Sequence, residues 1–141
     1  MTAGEKPEAA LRALLTGEFE TYKRLLRSLD AAEGREFMGL VSAAFLKSAD
    51  RQFGSAELPA AVVEWVGKIR SESPVGAQAF DPVVSEQVIL VALGLSEGAE
   101  LTGKQLRDGQ LLLLPVLVDD QELDRAGIEE LLAAARDLAQ G

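Results

Sequence analysis

At 141 residues, with 48% apolar and 5% aromatic side chains, the chain is sized for one domain with an aliphatic core. It has no cysteine and no histidine, which excludes disulfides, zinc or haem sites built on either, and Cys- or His-centred catalysis. The net charge of −9 lies wholly in the second half: residues 1–70 carry 10 basic and 10 acidic side chains, residues 71–141 carry 4 and 13, and phosphate backbones repel such a surface.

Alanine and leucine, 21 and 23 residues, dominate over the β-branched types, so the elements should be helices. The amino-terminal stretch "MTAGEKPEAALRALLTGEFE" is interrupted by charges every few residues and has no signal-peptide layout. The longest apolar run, 111–118, is far shorter than the roughly 20 residues of a membrane helix, so a soluble, cytoplasmic protein is expected. Ala-, Leu- and Gly-rich usage with more Arg than Lys points to a GC-rich bacterial genome, which bears on source and not on function.

The first helix is expected to start at Pro7, whose missing N–H suits a first helical position, with Leu11, Leu14 and Leu15 inward until "TG" at 16–17. A second should run from about 17 to 29, with a stripe of Phe19, Tyr22, Leu25, Leu26 and Leu29. Its basic "YKRLLR" is read as a wet face, with Glu20 paired to Lys23 or Arg24. Asp30 and Glu33 have capping-box spacing, so a third helix begins near Ala31 with Phe37, Leu40, Val41, Ala44, Phe45 and Ser48 inward, and "QFGS" ends it. From 58 to 72, Leu58, Val62, Trp65, Val66 and Ile69 recur at helical spacing, which makes Trp65 a core residue and not an exposed binding aromatic.

"SESPVGAQAFDP", 71–82, reads as a loop or hinge inside a single domain. Asp81 and Pro82 then form a cap followed by a first-turn proline. Val84, Val88, Val91 and Leu95 follow at helical spacing, and "VILVAL" is apolar all round, as in a central buried helix. Two more helices are expected at about 103–118 and 125–139, the last with Ile128, Leu131, Leu132 and Leu138 inward. Pro115 should bend or break the first of these near residues 111–115, at a cost of about 3 kcal/mol in an ordinary interior. Together these make an all-α fold, a single irregular bundle of about six helices.

Two stretches carry a suggestion of chemistry. "GAELTGKQ", 98–105, places Gly98, Gly103 and Lys104 as a phosphate-binding loop would. Gln105 stands where magnesium needs Ser or Thr, Glu100 puts a carboxylate in the anion cradle, and Pro115 lies in what would be the following strand. The residues from Lys104 to the apolar run are also too few for a parallel crossover. Thr102 and Gln105 instead have the spacing of a capping box, so the stretch reads as a helix start.

The second stretch, "DDQELD" at 119–124, gathers Asp119, Asp120, Glu122 and Asp124 as weak candidate metal ligands. With Gly127 at the sixth place of a calcium loop, Ala133 falls where the bidentate Glu belongs. Asp119 and Asp120 are therefore read as closing one helix and Asp124 as capping the next. No serine stands in a G-x-S-x-G context, and no carboxylate pair stands out as catalytic.

The expectation is a small acidic interaction or regulatory protein, more a binding module than an enzyme, with no cofactor, no nucleic acid and no membrane. Its partner should be a basic protein, with self-association open. Glu129, Glu130 and Asp137 are the candidate partner-binding residues, since residues 119–141 hold 7 acids against 2 bases. The alternative is a small enzyme using carboxylates, with or without a divalent metal. A weaker third reading is an acidic protein that occupies the basic surface of a nucleic-acid-binding partner.

Overall fold

A computed structural model of the chain describes residues 5–54, 57–72 and 81–140. Among them are seven α-helices and no strand: α1 (Glu5–Leu15), α2 (Phe19–Ser28), α3 (Ala31–Phe53), α4 (Ala60–Glu72), α5 (Pro82–Ala92), α6 (Gly103–Asp120) and α7 (Arg125–Gln140). The fold is an all-α bundle, as composition and periodicity predict. No described helix is long and apolar enough to cross a membrane. Of the expected loop, residues 73–80 lie outside the described residues, while Ser71 and Glu72 belong to α4.

The helix starts follow local chemistry. At α3, the Asp30 N–H donates to Glu33 Oε1 at 3.0 Å and the Glu33 N–H donates to Asp30 Oδ1 at 2.8 Å, a reciprocal capping box. Asp81 Oδ1 accepts from the Val84 N–H at 2.9 Å with Pro82 in the first turn of α5. Asp124 Oδ1 accepts from the Gly127 N–H at 2.8 Å ahead of α7. Each cap satisfies an N–H that the first helical turn leaves without an internal partner.

Three helix ends share one device. After α1 the Gly17 N–H donates to the Leu14 carbonyl and the Glu18 N–H to that of Ala13; after α5 Gly94 and Leu95 do the same with Val91 and Leu90. Gly17 and Gly94 sit at φ +76° and +75°, the left-handed conformation this closure needs. After α6 the same two bonds run from Glu122 to Asp119 (3.0 Å) and from Leu123 to Val118 (3.4 Å). Here a glutamate occupies the left-handed position, at φ 54°.

The chain divides into two compact units. The first comprises residues 1–48 and 114–141, and the second residues 49–113. In the first, α1 packs on α2 and α7. Leu11, Leu14, Phe37, Val41, Phe45, Leu117, Ile128 and Leu132 are among its buried side chains. In the second, α4 packs on α5. Trp65 is 6% exposed and meets Phe53 edge to face at 5.7 Å, so it is a core residue as its spacing predicts. Gly109 of this unit lies so close to Val88 that an added Cβ would come within 2.7 Å of a Val88 methyl.

Several expectations need correction. The α2 stripe is not buried: Phe19 and Leu26 are 55% and 38% exposed, and only Tyr22, Leu25 and Leu29 are half-buried. No ion pair joins Glu20 to Lys23 or Arg24 among the described residues. The run 88–93 is not fully buried: Val88 and Ile89 are buried, while Leu90, Val91, Ala92 and Leu93 are half-buried. Leu95 lies beyond the end of α5, is 55% exposed, and is turned off the helix by Gly94. Leu138 continues the α7 stripe but is 42% exposed.

At Pro115, α6 is continuous, so a break does not occur. Leu113, Leu114, Leu117 and Val118 around it are buried. At about 1.5–3 kcal/mol for each fully buried side chain, that burial outweighs the proline cost of about 3 kcal/mol.

Candidate partner-binding site

The stretch 98–105 forms a helix start. The Thr102 N–H donates to Gln105 Oε1 at 2.9 Å and the Gln105 N–H donates to Thr102 Oγ1 at 3.0 Å, which completes the capping box of α6. Lys104, the residue a phosphate would require, is exposed and pairs with Asp108 one turn on at 2.9 Å. Gly98 is a turn residue at φ +69°, and no strand precedes it among the described residues.

The acids of 119–124 are dispersed. Asp119 and Glu122 line one cleft, Asp120 is half-buried with a partner of its own, and Asp124 caps α7. No three carboxylates converge into a group able to hold a metal ion among the described residues.

The α7 face expected to be available for a partner is partly occupied. Glu129 receives two hydrogen bonds from Arg12 of α1, Nε to Oε2 at 2.6 Å and Nη2 to Oε1 at 2.8 Å. This two-point bond is the main cause that holds the Glu129 carboxyl below its usual range and raises the Arg12 guanidinium above its own. Arg136 pairs with Glu8 one end further along, and Glu8 also lies 3.6 Å from Arg12. The four side chains clasp antiparallel α1 and α7. Glu129 is thus engaged by Arg12, and like Glu130 and Asp137 it is exposed.

What sequence reasoning missed is a cleft of about 430 Å³ in the first unit. It forms where the α1–α2 turn meets the α6–α7 connection. Leu14, Leu15, Phe19, Pro115, Val116, Val118, Leu123 and Ile128 give it apolar walls, and its two ionised side chains, Asp119 and Glu122, are both acidic. Neither of these carboxylates has a hydrogen-bond or ion-pair partner among the described residues. The closure of α6 with Glu122 left-handed sets this carboxylate where the next helix begins. Such a cleft can take an apolar side chain on its walls and a Lys or Arg at its mouth.

A second cleft of about 620 Å³ in the same unit is lined in part by Glu8, Arg35, Glu36 and Arg136. Its charges are mixed, and Glu8 and Arg136 already neutralise one another. No known protein family, curated protein or solved structure matches the chain.

Proposed function

We propose that the protein is a non-catalytic interaction module whose docking site is the acidic, apolar-walled cleft of the first unit, and that it takes a basic amphipathic segment. The observation that carries this reading is the pair of unpartnered carboxylates, Asp119 and Glu122, on a cleft whose other walls are mostly aliphatic. A lysine or arginine brought there gains two carboxylates that have no competing cation, and an adjacent leucine or phenylalanine leaves water. The left-handed Glu122 adds weight. Glycine would occupy that position with less strain, so the carboxylate is kept at a cost to stability.

The test is a titration of isotope-labelled protein with a synthetic amphipathic helix of leucine and lysine, beside one of leucine and glutamate. The basic peptide should shift the amide signals of Thr16, Asp119, Glu122 and Leu123, and the acidic one should not. Equal effects of the two peptides, or shifts confined to other residues, would remove this reading.

A further inference from the structure

A segment with the chemistry this cleft requires lies in the chain itself. On α2, Phe19, Lys23, Leu26 and Arg27 stand at i, i+4, i+7 and i+8 and share one face. Phe19 and Leu26 are the exposed apolar residues described above, and Lys23 and Arg27 beside them are exposed with no partner among the described residues. Tyr22, one turn from both Phe19 and Leu26, borders this face on its anchored edge: it lies against Phe37 of α3 with ring centroids 6.2 Å apart, and its partial burial raises the phenol above its usual range. Phe19 and Leu26 thus form an exposed apolar pair between the anchored Tyr22 edge of α2 and the two cations.

Phe19 also lines the acidic cleft, so the basic apolar face and the acidic apolar cleft adjoin on one unit. Within a single chain they do not satisfy one another, since neither Lys23 nor Arg27 pairs with Asp119 or Glu122. A patch that carries its own complement beside it meets the requirement of a two-fold contact, in which surface i of one copy meets j of the other and j meets i. We infer that the protein self-associates as a two-fold dimer, with α2 of each copy seated at the cleft of the other. Phe19 and Leu26 cover the apolar walls, and Lys23 and Arg27 face Asp119 and Glu122 of the partner subunit. This assignment rests on the docking reading above and names its occupant.

Sedimentation of the 141-residue chain over a concentration series tests it. A dimer should form, and its dissociation constant should rise at least about tenfold as salt goes from about 0.05 to about 0.5 M, where screening is much shorter. Two double variants sharpen the test: Lys23→Glu with Arg27→Glu, and Asp119→Lys with Glu122→Lys. Each alone opposes like charges twice across the interface and should stay monomeric. Mixed together they match at both contacts and should form a heterodimer.

If the cleft reversals fail to fold, Asp119→Asn with Glu122→Gln should still weaken the dimer and flatten its salt dependence. A parent chain that stays monomeric while the basic peptide still shifts the cleft signals overturns self-association and leaves the docking site in place. Variants that dimerise like the parent, or fail to pair on mixing, overturn it as well. Loss of both self-association and peptide binding removes the docking reading with it.

Discussion

Replacing Glu122 by glycine should stabilise the protein, against the direction of most substitutions. Glu122 closes α6 at φ 54°, with its N–H bonded to the Asp119 carbonyl at 3.0 Å. A residue with a Cβ in that conformation costs about 1–2 kcal/mol, which glycine avoids. Glycine in turn gives the unfolded chain more freedom, which takes back about 0.5–1 kcal/mol. The Glu122 side chain is exposed and unpartnered among the described residues, so its removal loses no hydrogen bond or ion pair there. The net gain should be about 0.5–1 kcal/mol, read in urea as a higher midpoint with an unchanged slope.

Glu122→Ala separates this cause from a second one, the repulsion between an acid and the negative end of the α6 dipole. Alanine removes the charge and keeps the strain. Gly94→Ala, at the matching position after α5, should lose about 1 kcal/mol. If Glu122→Gly destabilises the protein, or if Glu122→Ala gains as much, backbone strain is not what glutamate costs there. The same glycine variant should bind the basic peptide more weakly, which would separate stability from docking at one residue.

Gly109→Ala should destabilise by about 1–3 kcal/mol, since the new methyl would meet buried Val88 at 2.7 Å; a loss under a few tenths would show that α5 shifts freely. Thr102→Ala should cost about 1 kcal/mol as a lost cap while Lys104→Ala is nearly neutral. ATP with magnesium should leave the melting temperature of the parent unchanged; a saturable shift that Lys104→Ala abolishes would contradict the helix-start reading. Glu129→Gln should cost at most about 1 kcal/mol at neutral pH, as the pair is exposed. Because the folded Glu129 carboxyl is held below its usual range, its contribution is present above about pH 4.3 and fades as pH falls through the lowered value. The parent and Glu129→Gln curves should therefore converge in acid, and a gap that persists there would place the effect in packing.

Features confined to one helical turn were legible from the residues alone. The caps at Asp30, Asp81, Thr102 and Asp124 each need a side chain and an N–H three residues on, so spacing suffices to predict them. The same capping box accounts for Thr102 and Gln105 in "GAELTGKQ" as a helix start. The inward faces of α3 and α4 were legible as well, because Phe37, Val41, Ala44, Phe45, Val62, Trp65 and Val66 recur at helical spacing and are buried.

Periodicity names the face a helix can bury, and only a neighbouring element decides whether it does. Leu138 keeps its spacing on α7 and is exposed, and Leu95 falls beyond the end of α5, where Gly94 turns it off the stripe. Phe19 and Leu26 belong to a good stripe, yet α2 sinks only its Tyr22 side toward α3. Glu129 looked available because nothing near it in the chain suggests a partner; Arg12 is 117 residues away. The cleft itself draws on the α1–α2 turn and the α6–α7 connection, two segments about a hundred residues apart in sequence that packing alone brings side by side. Composition and local hydrogen bonding thus set the helices, their starts and the excess of acid. Tertiary packing chose which acids pair internally and which two, Asp119 and Glu122, are left facing an apolar wall, because pairing over such separations depends on where whole helices come to rest.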